Sequence, residues 1–336
     1  MNYQINLFDL SVDERLRLAE ESNDVGLLSA LAKDEDSDVR YSALNNPNVT
    51  ADVLKEFVED ENWVIREAIA SHPKVSPEIL QILAEDEDSD VQVAVAKNSN
   101  STPEILLSLI ESEEYPINLS IAENPNSTVE ILQILAKDED WEIRVSVANH
   151  PNVTADILKS LSNDDDTDVL SAVAMNSCTS IKTLKKLSRH EYESVRKAVA
   201  ASPNVTIEIL QILAEDTELD VLEAVAQNSN TPKSILKKLA YIEDKSVRKS
   251  VAANPNTSKD TLMYLASNSS WQIRIIVARN PNTSSNTLTM LADDHDCDVK
   301  AAVASNPNTS TTVLLNLIKD SNPGVFENAV ETLRAK

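Results

Sequence analysis

The chain has 336 residues, a formal net charge of −25, two glycines, three tryptophans and three phenylalanines. This acidity argues against a surface built for nucleic acid or anionic membrane and for high solubility, and no stretch approaches the roughly 18 apolar residues of a membrane span. Cys178 and Cys297 lie far apart, so no intrachain disulfide and a reducing compartment are expected.

Residues 1–20 read as an N-terminal cap. Met1 to Leu10 carries neither a basic segment nor a long apolar run, so no signal peptide is expected and the expected location is cytoplasmic. Ser11-Val12-Asp13-Glu14 has the form of a capping box. From residue 21 to 333 the chain repeats with a period of 26, followed by a tail at 334–336. The Asn-Pro-Asn stretch first seen at Asn46-Pro47-Asn48 recurs, its middle slot falling at 47, 73, 99 and every 26 residues to 307, with Ser99, Ser177 and Ser229 replacing proline. Eight residues before that slot stands Val or Ile, as at Val39, Ile65 and Val91. Seven residues after it stands Leu, as at Leu54, Leu80 and Leu106. A fixed period of this length is the mark of a solenoid, and one repeat cannot bury its apolar face alone.

Each repeat predicts two short helices. In the first, Val91, Ala94 and Val95 share one face. The second starts at a Ser or Thr three residues after the proline slot (Thr50, Ser76, Thr102, Thr128, Thr154), which reads as its N-cap. Pro77 and Pro103 follow at the first helical position, and Thr231-Pro232 shifts the cap by one residue. Asn-Pro ends the first helix, because the residue before proline is pushed out of the α region. The Asn slots predict a hydrogen-bonded ladder along one edge, with His72 and His150 read as loop residues within it. Arg40, Arg66, Arg144, Arg196, Arg248 and Arg274 predict a second ladder, of arginine–aspartate pairs.

Read at Trp141-Glu142-Ile143-Arg144 through Asn149-His150-Pro151, and again at Ile273-Arg274 through Asn280-Pro281, the repeat resembles the leucine-rich repeat variant family, a relative of HEAT-type helical repeats. The resemblance covers roughly residues 21–333. It implies an all-α, right-handed helical-repeat solenoid of about twelve 26-residue two-helix repeats, the short helices α or 3₁₀. An iron–sulfur cluster held by an N-terminal cysteine cluster is known in the family. This chain has no such cysteines, so no cofactor is expected.

The loops are acidic, as at Asp34-Glu35-Asp36-Ser37-Asp38 and Asp164-Asp165-Asp166-Thr167-Asp168. Position six of a calcium loop lacks its glycine and position twelve, Asn45, is no ligand, so capping and solubility explain them better than calcium. Asp294-His295-Asp296-Cys297-Asp298 reads as a drifted copy of the same loop, and no metal site is expected. No nucleophile–base arrangement or phosphate loop stands out, so the chain is read as non-catalytic. An enzyme using Asp140 and Glu142 is disfavoured, because solvated acids beside helix N-termini need no catalytic explanation.

Two features break the uniformity. The positions two before, two after and six after the β-branched slot share a helical stripe that is polar in most copies. Trp63, Val93, Tyr115, Leu119, Trp141, Val145, Trp271 and Ile275 make it apolar in others. If solvated, it marks a partner site; the blander reading packs these aromatics between layers. Charge is also uneven: residues 1–178 carry −26, residues 179–260 carry +2 and residues 261–336 carry −1. The middle holds Lys182, Lys185, Lys186, Arg189, Lys233, Lys237 and Lys238. The favoured function is a protein-binding scaffold, expected to be monomeric, whose acidic half selects a basic protein partner. The alternative is nucleic-acid or phosphate binding through the basic repeats around 182–249, which the acidic remainder opposes. No membrane partner is expected.

Overall fold

The structure is a computed structural model that describes residues 7–110 and 114–336; residues 1–6 of the expected cap lie outside the described residues. Among these, every regular element is helical: 25 α-helices and a 3₁₀ turn at Leu7–Asp9. The chain forms two compact units, Met1–Leu161 and Ser162–Lys336. The 26-residue register runs through both.

Within a repeat the first helix has nine residues in most copies, as at Trp63–Ser71 and Ser89–Lys97. The second has seven, as at Pro77–Leu83 and Pro103–Leu109. Both are α-helical. First helices pack on one another in chain order. In the N-terminal unit Trp63–Ser71 lies against Ser89–Lys97, then Tyr115–Glu123, then Trp141–Asn149; in the C-terminal unit the series runs from Thr167–Met175 to Cys297–Ser305. The β-branched slot and the Leu slot are the core: Ile65, Val91, Ile117, Leu80, Leu106 and Leu132 are fully buried. Helices of seven to nine residues are unstable alone in water, so burial between neighbours holds them.

The acidic loops have a local geometric cause. Asp34 Oδ1 accepts from the Asp36 amide at 3.0 Å, and Asp36 Oδ1 accepts from the Asp38 amide at 2.9 Å. The same two-step turn recurs at Asp86–Asp88–Asp90, Asp138–Asp140–Glu142 and Asp294–Asp296–Asp298. The first acid makes an Asx-type turn and the second caps the first helix. In the second helix, Thr102 and Thr128 cap as expected. Thr50 and Ser76 occupy the cap position without the side-chain bond. Pro232 takes that position in its repeat, so Thr231 does not cap; its hydroxyl donates to the Val225 carbonyl instead.

The asparagine ladder joins successive repeats. Asn98 Nδ2 donates to the Ala70 carbonyl at 2.7 Å, Asn124 to Ala96 at 2.6 Å and Asn280 to Ala252 at 2.7 Å. Each acceptor lies at the C-terminal end of the preceding first helix, where carbonyls lack intrahelical partners. A second asparagine, two residues on, does the same one turn along: Asn126 Nδ2 reaches the Ser99 and Ser101 carbonyls at 2.7 and 2.9 Å. His72 and His150 lie, as expected, in the connections within this ladder, and they are buried rungs of it. His72 Nε2 lies 3.2 Å from the Asn46 carbonyl and its Nδ1 accepts from the Lys74 amide at 3.1 Å; His150 repeats the pattern on Asn124 and Asn152. Ser202 holds the slot in one repeat, and its buried hydroxyl has no partner.

The arginine ladder also forms. Arg66 Nε and Nη2 donate to Asp86 at 2.7 and 2.8 Å, twenty residues on, while Nη1 donates to the Asp60 carbonyl at 2.7 Å. Arg196–Asp216 and Arg274–Asp294 repeat the fork, and Arg15–Asp34 extends it to the cap. Burial works against the charge on Asp86, and the Arg66 guanidinium and the Asp88 amide outweigh it, holding the carboxyl below its ordinary range. Arg248 corrects the expectation: Asn268 stands where its aspartate would be, and the buried Arg248 Nε has no partner.

Replacing Arg66 by alanine strands Asp86 in a site where both side chains are almost fully buried. Urea unfolding is expected to show a loss of about 3 kcal/mol, and the Arg66→Ala/Asp86→Ala double variant is expected to recover part of it. His72 gives a second test. Burial pushes its pKa below the usual 6.5, with the Asn46 carbonyl opposing and Lys74 assisting. The unfolded chain therefore binds the proton more readily. The stability due to the neutral ring is full above pH 6.5 and is lost as pH falls from there through the folded-state pKa. His72→Asn keeps an amide donor in the slot, and urea midpoints between pH 7 and 5 are expected to fall less steeply than in the wild type.

Candidate functional site

The first-helix stripe is solvated at its ends. Trp63 is 42% exposed, Tyr115 38%, Trp141 41% and Trp271 43%, so these aromatics are not packed between layers. Each is the first residue of its helix, as Asn62, Glu114, Asp140 and Ser270 hold the preceding cap positions. Val93, Leu119 and Val145, in the middle of the stripe, are half-buried. Ile275 corrects the expectation, because at 8% exposure it belongs to the core. A mid-helix residue lies against the neighbouring first helix, whereas the N-terminal residue projects beyond that contact.

Tyr115, Leu119, Trp141 and Val145 come together on adjacent helices, with Val93 one repeat before and Trp63 one further. The Tyr115 hydroxyl donates to Glu142, the residue after Trp141. That bond leads the causes, followed by burial and the nearby acids, that push the Tyr115 pKa up to about 12. The bond ties the start of one first helix to the start of the next on an acidic edge. Trp271 lies in the C-terminal unit.

The basic residues occupy the outer face of second helices. Lys182, Lys185, Lys186, Lys233, Lys237 and Lys238 are exposed on Ile181–Leu187 and Lys233–Leu239, and Arg189 is exposed just beyond the first of these. They do not form a uniform patch. Lys186 donates to Asn163 at 2.7 Å and Lys238 pairs with Glu215. The helix between carries Glu208, whose pKa is held down by its own backbone amide, by Thr206 and by Lys185.

Sequence reasoning missed a second apolar surface, on the outer faces of the second helices. Ile82, Leu107 and Ile134 are exposed in one unit, and Ile181, Ile207, Met263 and Met290 in the other. Tyr241 and Tyr264 pair there, ring centroids 4.7 Å apart and tilted 46°, beside Lys237 and Asp260. The signal was available: positions one, five and six after the cap are polar in other copies. Among the described residues no group of three or more His, Cys, Asp or Glu side chains is placed to hold a metal, and no helix is long and apolar enough to cross a membrane.

The profile of the family described as leucine rich repeat variant matches residues 271–296. No curated protein matches the chain. Among solved structures, one described as a leucine-rich repeat variant with a novel repetitive protein structural motif is 22% identical, with a TM-score of 0.48. The match covers 69% of this chain and 86% of that one. Yeast importin-β (Kap95p) is 13% identical with a TM-score of 0.42, over 98% of this chain and 55% of its own. A complex described as Kap95p binding to RanGDP gives 12% identity and a TM-score of 0.46, over 97% and 57%. The chain thus spans a little over half the length of the importin-β structures it matches. The profile match covers one whole 26-residue period, Trp271 to Asp296, and the sequence carries that period without insertion or deletion from one end of the array to the other. The period at residues 271–296 is similar to the leucine-rich repeat variant repeat.

Proposed function

We propose that the protein is a non-catalytic scaffold that binds a basic protein partner along the first-helix edge of its N-terminal unit. The observation that carries this reading is the exposure of Tyr115 and Trp141 on neighbouring first helices, with the Tyr115 hydroxyl bonded to Glu142, the residue after Trp141. Exposed aromatic side chains beside half-buried Leu119 and Val145 supply anchor area with little rotamer entropy to lose. The acids that turn each loop, Asp138, Asp140 and Glu142 among them, surround the anchors and would draw a basic surface to them at a raised association rate. Their geometry is already explained by capping, so they serve a partner as a field rather than as catalytic acids. A cytoplasmic, monomeric protein fits this reading.

The second reading, phosphate or nucleic acid on the basic repeats, is favoured by one observation: Arg248 is a guanidinium without a carboxylate, near Lys245 and Lys249 in sequence.

The two readings separate by experiment. Proteins retained from a lysate on the immobilised chain are identified, and the affinity of a retained basic protein is measured with Trp141→Ala and Tyr115→Ala. Each truncation is expected to cost about 2 kcal/mol, roughly 30-fold in Kd, with helicity unchanged. A Kd within twofold of wild type for both variants removes the stripe as the site. For the second reading, a single-stranded oligonucleotide is titrated at several salt concentrations. Binding that weakens steeply with salt and is lost on replacing Lys185, Lys233 and Lys237 by alanine would favour the basic repeats over the stripe.

A further inference from the structure

Two rungs of the arginine ladder keep the carboxylate without a guanidinium: Lys300 supplies an ammonium to Asp320, whereas Asp138 faces only the side-chain amide of Asn118. Arg15–Asp34, Arg66–Asp86, Arg196–Asp216 and Arg274–Asp294 are paired at 2.6–2.8 Å, always across nineteen or twenty residues. Where the chain replaces the arginine by leucine, it replaces the aspartate too: Leu170 is followed by His190, and Leu222 by Ile242. Asn118 departs from this pattern. It stands in the arginine slot, and Asp138 is kept twenty residues on.

The shorter side chain leaves bonds unmade. Asn118 Nδ2 donates to Asp138 Oδ2 at 3.0 Å, and Asp138 Oδ1 accepts from the Asp140 amide at 2.9 Å. The Asn118 side-chain oxygen has no donor, although the residue is only 6% exposed. Turning the amide over does not help, because its oxygen would then face the carboxylate of Asp138. In the complete rungs the aspartate takes two donors from guanidinium, as Asp86 does from Arg66. Here it takes one from an amide. Beside the two side chains is an open cavity of about 400 Å³, lined also by Glu139, Lys137, Ile110 and Ile134.

We propose that this cavity is a docking pocket for an arginine side chain of a basic protein partner, whose guanidinium completes the rung between Asn118 and Asp138. The guanidinium offers five donors in a planar fork. Two meet the Asp138 carboxylate from the solvent side, and a third meets the buried Asn118 oxygen once that amide turns toward the pocket. The aliphatic stem lies along Ile110 and Ile134, and Glu139 adds negative charge at the rim. Lysine brings a point charge without the fork and satisfies fewer of these acceptors. The pocket also lies where the field favours a cation, within the part of the chain that carries −26 over residues 1–178. Tyr115 precedes Asn118 by three residues and Trp141 follows Asp138 by three. The inference rests on the protein-binding reading above and names the chemistry of the partner.

The test uses the full chain and two probes, N-acetyl-arginine amide and N-acetyl-lysine amide. Each is titrated into isotope-labelled protein while the Asn118 side-chain NH₂ and the Asp140 backbone amide are followed by NMR. The arginine probe is expected to give saturable shifts at both groups, and the lysine probe to bind at least tenfold more weakly. Asn118→Arg supplies the missing guanidinium from within the chain and is expected to abolish saturation while raising the urea midpoint. Asp138→Asn is expected to weaken the arginine probe at least tenfold. No saturable shift, an equal response to lysine, or undiminished binding in Asn118→Arg overturns the pocket. Failure of the pocket is distinguishable from failure of the stripe, because Asn118→Arg leaves Tyr115 and Trp141 in place. A basic partner that binds Asn118→Arg as tightly as wild type but loses affinity with Trp141→Ala removes the pocket and keeps the stripe. The opposite pair of results removes the stripe and keeps the pocket.

Discussion

The rest of the fold depends on the bond from an asparagine amide to the end of the helix before it. Every first helix finishes with carbonyls that its own turn leaves unpaired, and in Ala70, Ala96, Ala226, Ala252 and Ala278 that end is fully buried. Water does not reach a buried carbonyl, and leaving one unpaired costs about 1–3 kcal/mol. The donor arrives from the next repeat: Asn98, Asn124, Asn254, Asn280 and Asn306. The same asparagine accepts with its oxygen from the amide two residues on, as Asn98 does from Asn100 at 2.8 Å, so the donor is aimed before the neighbour is met. The alanine at the acceptor position and the proline that follows the asparagine serve this contact, one by allowing close approach and the other by ending the helix.

The two ladders differ in what they tolerate. An asparagine rung satisfies backbone groups that every repeat has, so the slot favours residues that can still donate: histidine fills it twice, its Nε2 meeting the carbonyl 26 residues back, one of the two that an asparagine reaches. Ser202 is too short and leaves its hydroxyl unpaired. An arginine rung satisfies side chains that the repeat brings for the purpose, so the pair can be deleted as a pair. Leu170 with His190 and Leu222 with Ile242 are such deletions. The half-deletions, Asn118 with Asp138 and Arg248 with Asn268, are where polar groups of the ladder stand unmatched.

Much of this was legible in the sequence because the repeat is its own alignment. The β-branched and leucine slots, the two helices and the Asn and Arg ladders could be read by comparing one period with the next. The exposure of Trp63, Tyr115, Trp141 and Trp271 could not, since periodicity gives a face and not the depth of its middle. The burial of Ile275 is the counterexample on the same stripe. The burial of His72 and His150 was hidden by their neighbours: Pro73 and Pro151 read as loop, and a ring that takes over one of the amide's two carbonyl partners has no composition signal. Arg248 carries the slot's residue type, but its partner position, twenty residues on, holds Asn268. The outer faces of the second helices were legible and were passed over in favour of the aromatics of the first.

The asparagine rung has a direction, and this makes the two ends of the array chemically unlike. At the N-terminal end the helix Val12–Glu21 offers carbonyls, and Asn46 takes Ala19 and Glu20 at 2.7 and 3.1 Å. Toward the C-terminus, the nine-residue helix Cys297–Ser305 is followed at the next ladder position by Thr332 in place of asparagine. The longer helix Pro323–Arg334 lies against it, with Asn328 donating to the Ala301 carbonyl at 3.3 Å and Lys336 to the Pro307 carbonyl at 3.1 Å. The final helix covers that helix with its own side chains, so these acceptors meet donors of a different kind from the ladder asparagines of the repeats.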